Sequence, residues 1–277
     1  MNSRQEVIGG SCTVSTVFGP SDAEFYEIQS WSLKPLQRQE DVPNNRVFSE
    51  VLSYVLSHVG VKTAFAPSIA HASANIVDTA DLKDKIFLGD GVRLYRNKDL
   101  PADGIFLEPN ETFVMSAAGC PVITATGDGH MIVAHAGRDS LIDRGAVLGE
   151  PTRKHLSVVH AIIDAFKERG VPAKDVDMCM QFSISTEVFA HEFDHPQYGR
   201  YNRQLGEFVD AWWPDCTARK NGSLFLNLEY VFMQQAARVH VASARATERL
   251  DKHPELAHTH DGEDPNRRNL FIVKRNA

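Results

Sequence analysis

Several features that would classify the chain at once are absent from its 277 residues. There are only four cysteines, at positions 12, 120, 179 and 216, and no two of them form a CxxC pair. This spacing indicates neither a disulfide framework nor a zinc knuckle built from cysteine alone. The glycine-rich stretches also lack the GxGxxG and GxxxxGK[ST] patterns, which excludes the usual nucleotide-binding loops.

Positive charge is scarce as well, since the net charge is -7 and the pI is near 5.9. This balance argues against general nucleic-acid binding, which requires a basic patch, and favours a small-molecule partner. No apolar run approaches the ~18 residues of a membrane span, and the first residues lack the charged-then-apolar design of a signal peptide. We therefore expect a cytoplasmic protein without membrane contact; the sequence does not indicate its oligomeric state.

The remaining composition is that of a globular chain, with 43% hydrophobic and 23% charged residues, and no linker-like segment divides it. We predict one domain over residues 1–277. Apolar side chains recur at helical spacing in three stretches, 47–60, about 152–169, and 224–239. Stretches of β type lie at 113–118, 121–126, 131–136 and 178–184. The pattern predicts an α/β or mixed α+β fold.

One stretch, SAAGCPVITATGDGHMIVAHAGR (116–138), places a cysteine and a histidine on either side of a glycine-rich turn. A two-residue turn at Gly127 and Asp128 puts Cys120 directly opposite His135, with Cβ atoms roughly 4.5 to 5.5 Å apart. A turn one residue later makes them diagonal neighbours on the same face, whereas a three-residue loop would separate them. A paired thiol and imidazole can ligate a metal, act as nucleophile and base, or be structural core residues.

The segments AGCPVI and IVAHAGR resemble the ADCxPV and AHAGW signature of the YfiH-like family, also called the laccase-domain or polyphenol oxidoreductase family. Upstream, APSIAHASANIV resembles the family's QVHG segment, ADGIF resembles its ADA or ADG step, and DVPNNR resembles its DDPxxVxxNR helix start. Downstream, SISTEVFAHEF resembles GPSIGxxxYEV, LFLNLEYVF resembles the LDL helix entry, and the C-terminal HTHDGEDPNRRNLFIVKR loosely resembles FFSYRRDGxTGR. The resemblance covers nearly the whole chain and is close in its middle third.

This resemblance implies a layered sandwich of β-sheets flanked by helices, with one zinc ion held by His71, Cys120 and His135. Three protein ligands leave a fourth position for water or a substrate oxygen, as catalytic zinc requires. The implied activity is phosphorolysis of purine nucleosides such as adenosine, inosine and methylthioadenosine, with adenosine deamination in some members. We therefore expect zinc as the cofactor, and a purine nucleoside and phosphate as the substrates.

For this activity we expect five residues to bind the substrate: Arg46, Arg138, His191, Arg267 and Arg268. The arginines are candidates for a phosphate site, and His191 for the wall of the pocket. Three positions depart from the family pattern. Val17 stands where the family's TTRxGG has arginine, Gly119 replaces the aspartate of ADC, and Arg138 replaces the tryptophan of AHAGW. These changes predict an altered pocket and an altered choice of substrate.

Two other functions remain open on the same residues. A metal-free hydrolase or deamidase would use Cys120 as nucleophile and His135 as base, since the YfiH-like fold is similar to that of the cytotoxic necrotizing factor catalytic domain, a Cys/His deamidase. The substitutions in the pocket also suit a binding protein whose catalytic capacity has decayed.

Two further metal-based interpretations fit the sequence poorly. Copper with Met115 or Met131 as a weak axial ligand would suit a polyphenol oxidase, but a multicopper oxidase requires several HxH pairs and this chain has one. HEFDH (191–195) matches the HExxH pattern of zinc proteases, but Pro196 would end a helix there. We expect a surface or loop segment at this point.

Overall fold

The computed structural model describes residues 4–8, 12–18, 23–30, 46–69, 73–117, 119–184, 186, 190–247 and 268–276. These residues form six helices: α1 (Arg46–His58), α2 (Arg138–Leu141), α3 (Arg144–Leu148), α4 (Val158–Glu168), α5 (Gly199–Trp212) and α6 (Leu228–Arg238). The strands of the first half are β1 (Arg4–Ile8), β2 (Cys12–Phe18), β3 (Ala23–Ser30), β4 (Thr63–Phe65), β5 (Ile76–Asp78), β6 (Asp84–Gly89), β7 (Val92–Arg96), β8 (Gly104–Leu107) and β9 (Thr112–Ala117). Those of the second half are β10 (Val122–Gly127), β11 (His130–His135), β12 (Asp177–Gln181), β13 (Ala190–Glu192), β14 (Thr217–Lys220), β15 (Ser223–Leu226), β16 (Ser243–Ala246) and β17 (Arg268–Arg275).

Two large sheets pack face to face. The first has the strand order β1-β2-β3-β17-β9-β4-β7-β6, the second has the order β16-β12-β10-β11-β8-β5, and a small third sheet has the order β13-β15-β14. Side chains of both large sheets, among them Phe113, Phe271, Val122 and Val133, form one apolar cluster between them. Helix α1 covers the outer face of the first sheet, and α4, α5 and α6 cover that of the second. The predicted mixed α+β sandwich of sheets flanked by helices is confirmed.

The predicted helices are present, but two of them begin later than the apolar spacing indicates. The stretch 47–60 corresponds to α1, which ends before Gly60 at a φ of +74°. Residues 152–157 form a loop, because the Ser157 hydroxyl caps α4 by accepting a hydrogen bond from the His160 N–H. Residues 223–226 pair with two neighbouring strands as β15, so α6 begins only after its cap, Asn227.

The predicted strands at 113–118, 121–126, 131–136 and 178–184 correspond to β9, β10, β11 and β12. Strands β10 and β11 form the predicted hairpin, with its turn at Asp128 and Gly129. Both residues have positive φ, +44° and +72°, as a type I′ turn requires. The predicted turn at Gly127 and Asp128 is therefore wrong, and the turn one residue later is confirmed. In this register Val122 pairs with His135.

In the part of the chain that the structure describes, no helix is long and apolar enough to cross a membrane. The cytoplasmic location and the single domain over residues 1–277 stay predictions.

Arg96, the last residue of β7, is buried in an unusual way. It lies on the same strand face as Val92 and Leu94, which pack beneath α1, and only 4% of it is exposed. Its Nε and Nη2 atoms have no hydrogen-bond partner among the described residues. Burial lowers the pKa of the Arg96 guanidinium, and attraction to Asp84 offsets this only in part. A charged group is thus held in the core without acceptors for two of its donor atoms.

We expect the substitution Arg96→Met to raise the free energy of unfolding by about 1–2 kcal/mol, because an apolar chain of similar length removes unpaired buried donors. Denaturant unfolding measures the change, with Arg93→Met on the opposite face of β7 as a control that should change stability by less than about 0.5 kcal/mol. A lower stability of Arg96→Met would show that the guanidinium is paired in solution.

Candidate functional site

The thiol of Cys120 and the imidazole of His135 meet at the open end of the β10–β11 hairpin. A Cβ atom built on Gly137 would lie 2.8 Å from Nε2 of His135 and 3.2 Å from Sγ of Cys120. Both atoms therefore lie close to Gly137, at a point where a side chain on residue 137 would not fit. The thiol of Cys120 is close enough to the imidazole to raise the pKa of His135. The structure thus brings together the two residues that the hairpin pattern singled out.

The other ring nitrogen of His135 is held by Asp103 and Ser140. Nδ1 lies 3.0 Å from Oδ1 of Asp103 and 2.9 Å from Oγ of Ser140, and the Ser140 hydroxyl donates to the same Asp103 oxygen at 2.9 Å. Since the single hydroxyl proton of Ser140 goes to Asp103, Nδ1 carries the hydrogen in this network. Nε2 is left to face Cys120.

These contacts come directly from the sheet. Strand β8 pairs with β11, with Gly104 opposite Ala134, so Asp103 and His135 are the next cross-strand neighbours. The His135 N–H donates to the Asp103 carbonyl at 2.8 Å. Burial disfavours a charged imidazole, but the hydrogen bonds to Asp103 and Cys120 outweigh it and raise the pKa of His135 to about 10.

Arg138 lies next to this pair at the start of α2. Its guanidinium makes a two-point contact with Asp139, 2.6 Å from Nε to Oδ1 and 3.1 Å from Nη2 to Oδ2. It also lies 4.8 Å over the ring of Tyr201, whose hydroxyl donates to Asp139 at 2.9 Å. Burial would lower the pKa of Arg138, but the Asp139 contact raises it above its usual value.

His191, on β13 of the third sheet, lies beside Arg138 and forms a wall of the site with it. It is 92% buried, and its Nδ1 lies 3.3 Å from Nη1 of Arg138, from which it accepts a hydrogen bond. Burial and the charge of Arg138 lower the pKa of His191 to about 3, so the ring is neutral. Because His191 lies on a strand, HEFDH does not form the helix of a zinc protease. The rest of the segment, residues 192–195, is exposed or half-buried and turns after β13, as expected for a surface segment, whereas the antiparallel pairing of β13 with β15 buries His191 itself.

Three solved structures are similar to this chain over nearly all of its length. They are a Neisseria meningitidis protein of the family model DUF152 (15% identity, TM-score 0.63, 95% of this chain and 99% of that one), YlmD from Geobacillus stearothermophilus (14%, 0.67, 100% and 100%), and the hypothetical protein YfiH from Bacillus licheniformis (15%, 0.60, 96% and 92%). The chain has the YfiH-like fold. No family model and no curated protein matches the sequence itself. The resemblance to the YfiH-like, laccase-domain family is thus confirmed at the level of the fold.

Within this YfiH-like fold, the predicted site residues fall into two groups. Cys120, His135, Arg138 and His191 lie together as described above. Of the others, His71 and Arg267 lie outside the described residues, and Arg46 and Arg268 are described by their backbone alone, at the starts of α1 and β17. Residue 269 of β17 pairs with residue 117, three residues before the cysteine, so β17 starts close to the site.

Of the three departures from the family pattern, Arg138 and Gly119 lie at the site. Gly119, directly before Cys120, has a φ of +88°, a conformation that an aspartate would rarely adopt. Val17 lies on β2, and its side chain is outside the description. Met115 and Met131, the possible copper ligands, are buried in the apolar cluster between the sheets.

Sequence reasoning missed the groups that hold the site in place. Asp103 lies in the segment ADGIF and Ser140 lies two residues after AHAGR, but the sequence analysis predicts no role for either. Asp139 and Tyr201 were also missed. The only local signal was the position of Asp103 directly before an apolar strand, and its partner His135 is 32 residues further along.

The close approach of both side chains to Gly137 provides a steric test of the site. Its φ of -64° suits alanine, so Gly137→Ala adds a methyl group without backbone strain. We expect zinc binding to weaken by about 100-fold, because the new Cβ displaces both predicted ligands. Competition with a chromophoric chelator measures the affinity.

Gly149→Ala is the matched control, because that position has a φ of +69° and no atom within 4 Å of an added Cβ. It should cost about 1 kcal/mol of stability and leave zinc affinity unchanged. Equal affinities of Gly137→Ala and the parent would show that Cys120 and His135 do not act at this point.

The low pKa of His191 predicts a loss of stability in acid. Below pH 6.5 the unfolded chain takes up a proton at this residue, whereas the folded chain does so only near pH 3. The free energy of unfolding should therefore fall by up to about 1.4 kcal/mol for each pH unit between these values. His191→Asn should flatten that part of the profile, measured by denaturant unfolding at several pH values. Parallel profiles for both proteins would contradict the assignment.

Proposed function

We propose that the protein is a zinc-dependent enzyme that cleaves purine nucleosides by phosphorolysis, with adenosine deamination as a second reaction. The observation that supports this most directly is the convergence of the Cys120 sulfur and the His135 Nε2 on one point beside Gly137. A thiol and an imidazole directed at a common point are donors that zinc favours. The YfiH-like fold and the motif resemblance provide the substrate class.

The chemistry of the donor set fits a zinc ion. His135 donates its Nδ1 hydrogen to a buried carboxylate, as zinc-bound histidines commonly do, and zinc would take the place of the hydrogen on Nε2. Cys120 is only partly buried, so the site can be reached from solvent. His71, the third proposed ligand, comes from the resemblance. When bound, zinc would act as a Lewis acid toward water or a substrate oxygen.

The protein's own groups would then orient the nucleoside and balance its charge. Phosphorolysis depends mainly on positioning and on stabilising the departing purine. The neutral ring of His191 and the guanidinium of Arg138 form one wall beside Cys120. We propose Arg46, Arg267 and Arg268, together with Arg138, as the source of the phosphate site.

Metal analysis of the purified protein tests the site assignment first. We expect about one zinc per chain in the parent and none in Cys120→Ala, because a thiolate ligand is lost. Cys216→Ala, at a buried cysteine in the apolar core, is the matched control and should keep its zinc. Full zinc occupancy in Cys120→Ala would overturn the assignment, and copper in place of zinc would favour the oxidase.

A panel of adenosine, inosine, guanosine and methylthioadenosine then tests the reaction. Release of free base that depends on phosphate would support phosphorolysis, and release of ammonia from adenosine would support deamination. Nucleoside binding without any turnover would favour a decayed binding protein instead.

A metal-free Cys/His hydrolase or deamidase is the second candidate, and one specific observation favours it. The sulfur of Cys120, the imidazole of His135 and the carboxylate of Asp103 follow one another as nucleophile, base and orienting group do. In this reaction His135 would hold the proton of the Cys120 thiol while the sulfur attacks a carbonyl carbon. The same proton would pass to the departing amine as the C–N bond breaks, and water would then release the acyl group from the sulfur.

Alkylation of Cys120 by iodoacetamide separates the two candidates. The zinc enzyme should be protected by bound metal and should lose activity with a chelator. The metal-free enzyme should be alkylated at the same rate with or without chelator. Without iodoacetamide, it should remain active when the chelator is present.

A further inference from the structure

We propose that Asp103 is a positioning residue. It fixes the ring of His135 for metal binding and links this ring to the backbone at Ala74. This inference rests on the proposed zinc site. It follows from four hydrogen bonds that meet on one carboxylate in the interior of the protein.

The side chain of Asp103 is completely buried, and each of its oxygens accepts two hydrogen bonds. Oδ1 accepts from Nδ1 of His135 at 3.0 Å and from the hydroxyl of Ser140 at 2.9 Å. Oδ2 accepts from the backbone N–H of Ala74 at 2.6 Å and from the hydroxyl of Ser73 at 3.4 Å. A carboxylate is the one side chain that can accept on both sides in this way. The group joins β11, α2 and the segment before β5.

Ala74, which donates to Oδ2 of Asp103, has an unusual backbone conformation. It is fully buried and has a φ of +51°, a left-handed conformation that residues other than glycine adopt rarely. Such a conformation persists only where neighbouring groups hold it. Here the short hydrogen bond to Asp103 does so, three residues after the predicted ligand His71.

An asparagine at position 103 would have one acceptor and one donor where the aspartate has two acceptors. If its oxygen accepts from Ala74, its NH₂ group faces Nδ1 of His135. A backbone N–H cannot give up its hydrogen, whereas an imidazole can change tautomer. With zinc on Nε2 the ring must keep its hydrogen on Nδ1, where it would face the NH₂ group of the asparagine instead of an acceptor, so zinc binding would be weakened.

The test compares Asp103→Asn with the parent in two measurements. In the metal-free protein with ¹⁵N-labelled histidine, the parent should show a protected Nδ1–H resonance of His135, and the variant should lack it. In chelator competition, the variant should bind zinc 10–100-fold more weakly than the parent. A purely structural role for Asp103 would move neither readout while the protein is folded.

Asp143→Asn is the matched control, because Asp143 is also buried but its carboxylate caps α3 and pairs with Arg153 instead of holding His135. This variant should keep both the ring-proton resonance and the zinc affinity of the parent. Ser140→Ala keeps the carboxylate and should weaken zinc binding less than Asp103→Asn does.

The inference is overturned if the Nδ1–H resonance persists in Asp103→Asn, or if that variant binds zinc as tightly as the parent. A parent that binds no zinc would contradict the proposed function instead. In that case the ring-proton resonance still decides whether Asp103 fixes His135.

Discussion

The register of the β10–β11 hairpin is the constraint on which the site depends. Side chains alternate between the two faces of a strand, so a shift of one residue would move His135 from the face toward the first sheet to the face beneath α4. The turn residues prevent such a shift, because Asp128 and Gly129 both adopt the positive φ that a type I′ turn needs. The turn lies six residues before His135, or about 20 Å at about 3.3 Å per residue. It thus determines which group lies beside Cys120.

The pairing of β8 with β11 extends this constraint to a buried charge. Because Asp103 directly precedes β8, the sheet register alone places it opposite His135. A carboxylate without solvent contact is unfavourable unless hydrogen bonds compensate it. Here four donors from three separate segments do so, which makes the carboxylate a connection between those segments as well as a partner of the imidazole. The loss of any one of these donors would lower the stability of the protein, because the buried carboxylate would then lack a hydrogen bond.

Local patterns in the sequence predicted the features that depend on neighbouring residues. Helical periodicity located α1, and β-type alternation with a glycine-rich turn located the hairpin and the shared face of Cys120 and His135. The starts of α4 and α6 were wrong, because capping by Ser157 and by Asn227 outweighed the apolar spacing that continues upstream.

The roles of Asp103 and His191 could not be predicted from such patterns. Each depends on a pairing between distant strands: Asp103 meets His135 only because β8 lies beside β11, and His191 is buried only because β13 pairs with β15. Nothing in the residues near His191 distinguishes a three-residue strand from a loop. The resemblance provided the ligand set, but it contained no information on which groups orient those ligands.

The charge balance around Arg138 bears on where a phosphate would bind. Two edges of this guanidinium are already engaged, one by both oxygens of Asp139 and one by the neutral ring of His191. A phosphate that approached Arg138 would meet the Asp139 carboxylate beside it and would have to compete with a two-point contact, the strongest geometry available to arginine. Arg138 is therefore better placed to orient His191 and to shape the wall beside Cys120 than to bind phosphate directly. Among the proposed anion-binding residues, the arginines at the starts of α1 and β17 are therefore left with the main role.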